Sequence, residues 1–265
     1  MDLTTLIGII VGLGGLIGGY MMDGGHLSAL VVPSAMLIIF GGTFGAVMIS
    51  FPMSQLKQIG KALGMAFKEP KRDHAAIIDE LVEMATIARR EGVLALEQRA
   101  QEHGNPFLRD GLMMVVDGTD PELTRQILEL EMDAIEHHHE GYAKMFESAG
   151  AYAPTMGIIG TVMGLIHVLG NLSDPGSLGP AIAVAFTATL YGVSSANVLY
   201  LPIASKIKIR SKEQISEMEL MLEGILALQA GENPQLIKKK LNSFLHQEHK
   251  NKKVEGAGEA GGEEE

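Results

Sequence analysis

Between Lys144 and Lys206 the chain reads MFESAGAYAPTMGIIGTVMGLIHVLGNLSDPGSLGPAIAVAFTATLYGVSSANVLYLPIAS (residues 145–205), with no Lys or Arg. The first 56 residues also lack both. All 21 basic residues fall in the two remaining stretches, from Lys57 to Lys144 and from Lys206 to Lys253. The basic-free regions are also the most apolar. This is the positive-inside pattern of an integral membrane protein, written twice. A helix rises about 1.5 Å per residue, so crossing a core of roughly 30 Å takes about 20 apolar residues. Four segments qualify: 3–22, 27–51, 151–170 and 180–203. Asp23-Gly24-Gly25-His26 separates the first pair and residues 171–177 the second. Neither turn carries Lys or Arg, so both are expected outside. Both termini and the middle of the chain are then expected in the cytoplasm.

Composition excludes several classes. There is no Cys, which removes disulfides, thiolate metal sites and Cys nucleophiles. The net charge of −11 argues against nucleic acid, which needs a basic face. Met1 and Asp2 run straight into the first apolar stretch with no basic n-region, so that span is expected to be retained. The fold class is therefore all-α integral membrane, two spans plus two, with a helical cytoplasmic domain between the pairs. The divisions are 1–52 for the first two spans, 53–148 for the cytoplasmic domain and 149–204 for the last two spans. C-terminal cytoplasmic helices follow over 205–246, then an acidic tail over 247–265 too polar to bury a core.

The spans carry small residues at close-packing spacing, among them Gly8 with Gly12, Gly41 with Gly45, and Gly160 with Gly164. Such pairs let helix backbones approach in lipid, within one chain or between subunits. No Asp, Glu, Lys or Arg lies inside any span. Intramembrane charges are the usual carriers of ion-coupled machines. A path through this chain would be lined by neutral groups such as Thr155, Thr161 and Thr189, with the ionisable group supplied by another chain. For a single Thr the plainer reading is a hydroxyl bonded back to its own helix. Pro154 and Pro202 sit near the inner ends of the third and fourth spans, where each removes a helix donor. They end helices, or they act as hinges.

Residues 54–67 repeat apolar groups at helical spacing beside Lys57 and Lys61, as an interfacial amphipathic helix does. Asp73 caps a helix that Gly92 stops, and shorter helices follow around 93–102 and 106–116. Asp120-Pro121 starts a helix that can run into the third span. A helix around 213–230 and a short one after Asn233-Pro234 follow the fourth span. His137-His138-His139 points three ways on a helix and is not expected to hold one metal ion. Arg89, Arg90, Glu91 and Glu97 form no catalytic constellation, and no nucleophile–base pair or cofactor motif appears, so an enzyme is not expected.

Several motifs together carry a resemblance. They are Ala88-Arg89-Arg90-Glu91-Gly92 with Leu94-Ala95-Leu96-Glu97, Val116-Asp117-Gly118, Tyr152-Ala153-Pro154 and Gly160-Thr161-Val162-Met163-Gly164-Leu165. Asp174-Pro175, Thr189-Leu190-Tyr191-Gly192 and Pro202-Ile203-Ala204 complete the set. The chain resembles the flagellar stator A-subunit family (MotA, and its sodium-type relatives PomA and MotP) over all but the acidic tail. The resemblance implies a homo-oligomeric ring, a pentamer, around a dimer of single-span B-subunits that bring the ion-binding Asp. It also implies contact with membrane lipid. Ion flow would turn the ring, and Arg89, Arg90 and Glu97 would engage the rotor's switch-complex protein. Pro154 and Pro202 match the prolines linked to conformational change. Thr161 and Thr189, with Thr155, match the ion pathway, with no cofactor and sodium or proton as the transported ion. Thr161, Asp174-Pro175 and Thr189-Leu190-Tyr191-Gly192 lean toward sodium. Ala188 departs from the sodium pattern, which has Thr there. The competing readings are an energising subunit like ExbB and TolQ, against which the two N-terminal spans argue, and a non-conducting membrane scaffold.

Overall fold

A computed structural model describes residues 2–68, 73–170 and 175–245. Among the described residues every regular element is helical. Four helical stretches are long and apolar enough to cross a membrane. The turn residues Asn171 to Asp174, Pro70 and the acidic tail lie outside the described residues. The chain divides into two compact units, Met1–Pro70 with His137–Ser211, and Lys71–Glu136 with Lys212–Glu265.

The first unit holds the spans. Helix α1 (Leu3–Met22) begins at Asp2, whose carboxylate accepts from the Thr4 and Thr5 amides. This satisfies two of the donors that every helix start leaves free. No residue of α1 is buried within the chain, and Ile10 and Val11 are well exposed. An apolar helix with no buried residue leaves most of its surface for lipid or for neighbouring chains. The second span differs from a single helix over 27–51. It opens with a 3-10 turn (Leu27–Leu30), then α2 (Pro33–Met36), a π turn (Leu37–Gly41) and α3 (Gly42–Ser50). Pro33 explains the late start. The residue before a proline is driven out of the helical region, and Val32 is extended at φ −121°, ψ 96°.

The amphipathic segment is two pieces, α4 (Met53–Leu56) and α5 (Ile59–Phe67). Its apolar face is covered by protein. Ala62 and Ala66 pack on Tyr142, Ala143, Met145, Ile203 and Ile207, with Leu56, Ile59, Leu63 and Phe67 around them. The gap between the pieces has a partner, since the Tyr142 hydroxyl donates to Gln58 at 2.9 Å. Its single proton is then used, so His138 Nε2 donates to Tyr142 at 2.8 Å.

Helix α9 (Pro121–Gly170) contains the third span and runs 50 residues with Pro154 inside it. The fourth span lies in α10 (Pro175–Ser195), a π turn (Ala196–Tyr200) and the start of α11 (Leu201–Gln229), back to back. The helix read over 213–230 is the continuation of this run rather than a separate element. Lys206, Lys208 and Arg210 follow the span along this run without stopping it.

The second unit has its own core. Helix α6 (His74–Glu91), a 3-10 turn (Val93–Leu96), α7 (Glu97–Gln101) and α8 (Pro106–Val116) surround it. Ile78, Leu81, Leu96, Leu108, Leu112, Leu128, Met221, Ile225, Ile237 and Leu241 are buried together. The last two belong to α12 (234–245). The caps read from the sequence form: Asp73 accepts from Ala76, and Asp120 from Glu122 and Leu123. Gly92 ends α6 at φ +88°, a conformation a side chain rarely adopts.

Candidate functional site

The spans have no charge, so chemistry at membrane depth falls to hydroxyls and carbonyls. Helices α9 and α10 meet along faces of small residues. Gly157, Gly160 and Gly164 lie on α9, and Ala185, Ala188, Thr189 and Gly192 on α10. A Cβ on Gly160 would come within 2.6 Å of the Ala188 Cβ, and one on Gly164 within 2.7 Å of the Ala185 Cβ. A Cβ on Gly192 would lie 2.5 Å from the Ala153 carbonyl oxygen. The two backbones are thus in contact, the arrangement that small-residue spacing permits in lipid.

This contact brings Thr161 and Thr189 together. Their hydroxyls are hydrogen-bonded across the interface. The Thr161 hydroxyl also lies 3.1 Å from the Gly157 carbonyl and 3.0 Å from the Ala185 carbonyl. One hydroxyl has one proton, so it cannot donate to all three oxygens. The two hydroxyl protons are therefore shared among four oxygens, two of which are carbonyls that also accept N–H groups of their own helices, and lone pairs are still left over. Such an oxygen cluster suits a hard cation, which prefers oxygen ligands, and also a proton relay. Thr161 makes the back-bond expected of any helical Thr and faces a second hydroxyl as well.

The other membrane hydroxyls are mostly self-satisfied. Thr155 is exposed and donates to its own helix at the Tyr152 carbonyl, 2.7 Å away, so it is not part of the cluster. Thr187 bonds to Ala183 at 2.7 Å. Tyr191 bonds the Leu30 carbonyl, holding α10 against the segment that precedes α2. Its ring lies 6.3 Å from that of Phe40. Ser50 donates to Ala46 and so accepts from the Tyr152 hydroxyl at 2.9 Å, which ties α3 to α9. A cleft of about 540 Å³ opens beside the cluster, bounded by Ser34, Ile38, Gly160, Gly164, His167 and Pro180.

The two prolines differ in their surroundings. Pro154 cannot donate to the Gly150 carbonyl four residues before it, yet α9 continues through it. Pro202 likewise frees the Val198 carbonyl, inside the π turn Ala196–Tyr200. π turns are rare and cluster at functional sites. The sequence reading missed both of them.

In the second unit, Arg89, Arg90 and Glu97 are all exposed. The arginines end α6 and Glu97 starts α7, with the Gly92 turn and the Val93–Leu96 3-10 turn between. Buried Leu96 holds that turn down, and an Arg99–Glu83 ion pair of 2.6 Å braces α7 on α6. Glu97 accepts from Gln101 at 3.3 Å, and neither arginine forms an ion pair among the described residues. Leu94 stands out from the same turn, 70% exposed. Unpaired charges around an exposed apolar side chain make a surface suited to a charged protein partner.

Comparison with known proteins gives this architecture a family. The profile of the MotA/TolQ/ExbB proton channel family matches residues 99–220, and that of the motility protein A N-terminal region matches 6–92. Motility protein A of Bacillus subtilis (strain 168) is 42% identical, covering 92% of this chain and 91% of that protein. The chain belongs to the motility protein A family. Chemotaxis protein PomA of Vibrio alginolyticus is 36% identical over 93% of the chain and 96% of its own length. The structure of the flagellar MotAB stator complex from Bacillus subtilis superimposes with a TM-score of 0.88 at 40% identity, over 95% of this chain and 99% of that one. C. jejuni MotAB superimposes with a TM-score of 0.87 at 33% identity, over 92% and 96%. The N-terminal motility protein A match covers α1 to α6 and ends at Gly92. The channel match contains the whole Thr161–Thr189 interface.

Proposed function

We propose that this chain is the A-subunit of an ion-driven flagellar stator, a membrane protein that with a B-subunit couples ion flow to torque. One observation carries the mechanism: two facing threonines at membrane depth in spans without a single charge. A conducting path needs an ionisable carrier, and this chain supplies only its oxygen-lined wall. A carboxylate on a B-subunit helix would complete the site. The stator complexes this chain superimposes on contain such a second subunit, as the name MotAB states. The chain then forms a ring, a pentamer in this proposal, around a B dimer in the inner membrane, with both termini cytoplasmic.

Each ion that crosses delivers about 2.3 kcal/mol per 100 mV from the electrical part of the gradient. Passage past Thr161 and Thr189 would change the charge on the carboxylate against the α9–α10 face. The ring would answer by stepping, and Arg89, Arg90 and Glu97 would push on charges of the rotor's switch-complex protein. The sodium-type pattern of Thr161 and Thr189-Leu190-Tyr191-Gly192 favours sodium over a proton as the transported ion. Thr155 would lie toward the inner end of the path, away from the binding oxygens.

The test is swimming speed of a stator-deleted host carrying this chain and its B-subunit, scanned against external sodium at fixed pH. Speed that rises and saturates with sodium supports a sodium motor. Full speed without sodium, abolished by a protonophore, overturns the sodium preference and leaves the stator reading intact. No motility despite membrane insertion of both chains overturns the stator reading.

A further inference from the structure

A buried charge cluster in the first unit takes no part in the ion site or the rotor surface. Asp2 is 4% exposed and is bonded to two cations one helical turn apart on α11. Lys206 Nζ lies 2.5 Å from its Oδ2, and an Arg210 guanidinium nitrogen 2.7 Å from the same oxygen. The other oxygen is also filled: Thr4 donates to Oδ1 through its hydroxyl at 2.6 Å and its amide at 3.0 Å. The Asp2 amide donates to the Phe67 carbonyl at the end of α5, 2.8 Å away. One residue therefore joins the starts of α1 and α11 and the end of α5.

Its position along the fourth span gives this junction a use. Lys206 and Arg210 lie four and eight residues after Pro202, and the π turn Ala196–Tyr200 lies just before it. A weakened stretch of helix is followed at once by a charged clamp. Above the weak stretch is α10, which carries Thr189. Below it, α11 cannot tilt from α1 without separating a nearly dry carboxylate from two cations. Separating such charges costs far more than breaking an exposed pair. A second contact reinforces the clamp, since Gly12 of α1 lies against the Val198 side chain of the π turn.

We propose that Asp2 is a positioning residue for torque generation: by clamping α11 to α1 and α5 it confines bending of the fourth span to the stretch from Ala196 to Pro202. This rests on the stator reading. Movement of α10 during an ion step is then delivered at one joint and not dissipated as a tilt of the whole fourth span. Hydrogen bonds and both ion pairs hold the Asp2 carboxyl well below the usual carboxylate range, with the Lys206 contact the largest cause. The Asp2 carboxylate stays charged at any cytoplasmic pH.

The experiment is torque per stator, read from stepwise speed increments of a bead on single motors. The complex of this chain with its B-subunit is compared with Asp2→Asn and with Asp2→Asn/Lys206→Met. Asparagine keeps one oxygen as acceptor for the Thr4 and Thr5 amides and puts a neutral NH2 in place of the oxygen that Lys206 and Arg210 share. The double variant also removes one of the two cations that would then face a neutral amide, so it assembles more readily than the single variant. The expected result is loss of most of the torque per stator in each assembled variant, with the ion concentration for half-maximal speed unchanged. A role in folding alone would lower the number of steps and leave their height intact. Steps of unchanged height in either variant overturn the inference, and so does failure of both variants to assemble. A wild-type chain that drives no motility is a different result and strikes the stator reading instead.

Discussion

Replacing Gly192 by Ala tests whether contact between the α9 and α10 backbones makes the ion site. The added Cβ would lie 2.5 Å from the Ala153 carbonyl oxygen and 3.2 Å from the Gly157 Cα. Ordinary contact begins at 3.4 Å, so the shortfall is 3.4 − 2.5 = 0.9 Å. The obstruction is backbone, which has no rotamer to change, so the helices must separate. Overpacking of this kind costs about 1–3 kcal/mol. Separation also parts Thr161 from Thr189, one turn away on the same faces, which loses about 0.6 kcal/mol of interhelical hydrogen bonding. Shortfalls from the same geometry grade the series: 3.4 − 3.2 = 0.2 Å for Gly157→Ala and 3.4 − 2.7 = 0.7 Å for Gly164→Ala. Gly8→Ala meets nothing within 4 Å and is the control. The assays are thermal unfolding of the purified complex with its B-subunit, and swimming speed at saturating ion. Both should fall in the order Gly8, Gly157, Gly164, Gly192. A Gly192→Ala motor as stable and as fast as the Gly8→Ala motor would refute the reasoning.

Four further outcomes are expected. Thr189→Val keeps the shape and removes one oxygen of the cluster, so ion-driven swimming should fall sharply while membrane insertion stays normal, as read by speed and by quantity of inserted protein. Arg89→Glu with Glu97→Lys reverses the exposed charges at no cost to the core, so swimming under load should fail while thermal stability holds. Glu131→Gln should stabilise the second unit by no more than about 1 kcal/mol at neutral pH. Burial and the nearby Asp110 push the Glu131 carboxyl up, so folding favours its protonated form, and that advantage is lost as pH rises through the raised value. The gain from Gln should therefore disappear toward pH 4, which a pair of melting curves checks. Asp2 has the opposite sign: its depressed value keeps its stabilisation present above about pH 4, the unfolded carboxylate range, and loses it only in stronger acid. Asp2→Asn should thus lower the melting temperature equally at pH 6 and pH 8.

The spans were legible because charge and hydropathy separate cleanly along this chain. A lipid core tolerates no other pattern, so tertiary packing cannot override it. Helix starts at Asp73, Asp120 and Asn233 were legible because a cap is a local hydrogen bond. The π turns were not, since an extra residue in a helical turn is stabilised by neighbours and leaves no local signature. The amphipathic segment shows the limit of periodicity: its apolar stripe announces burial, but lipid and a protein face look the same from one strand of sequence. Here α9 and α11 cover it. Thr161 and Thr189 were named from the family pattern, and only the structure shows the carbonyls of Gly157 and Ala185 beside them. Asp2 was passed over as a lead-in to the first span. Its signal was present in Asp-Leu-Thr-Thr, an N-cap sequence, and in a Lys and an Arg four residues apart after the fourth span. Nothing in a linear reading joins positions 2 and 206.

The touching backbones of α9 and α10 also limit how the proposed ion site can change. Where Gly157 and Gly192 face main-chain atoms, no side chain is present to be enlarged or trimmed, so the spacing of the two helices at that level is fixed. In the proposed ion site, positions 161, 188 and 189 can then change only by exchanging a methyl for a hydroxyl within an unchanged outline. Ala188 is the open setting. Its Cβ already occupies the space that Gly160 vacates. A hydroxyl added there would enter an interface whose facing wall is glycine, so Gly160 is the residue on which any such exchange depends.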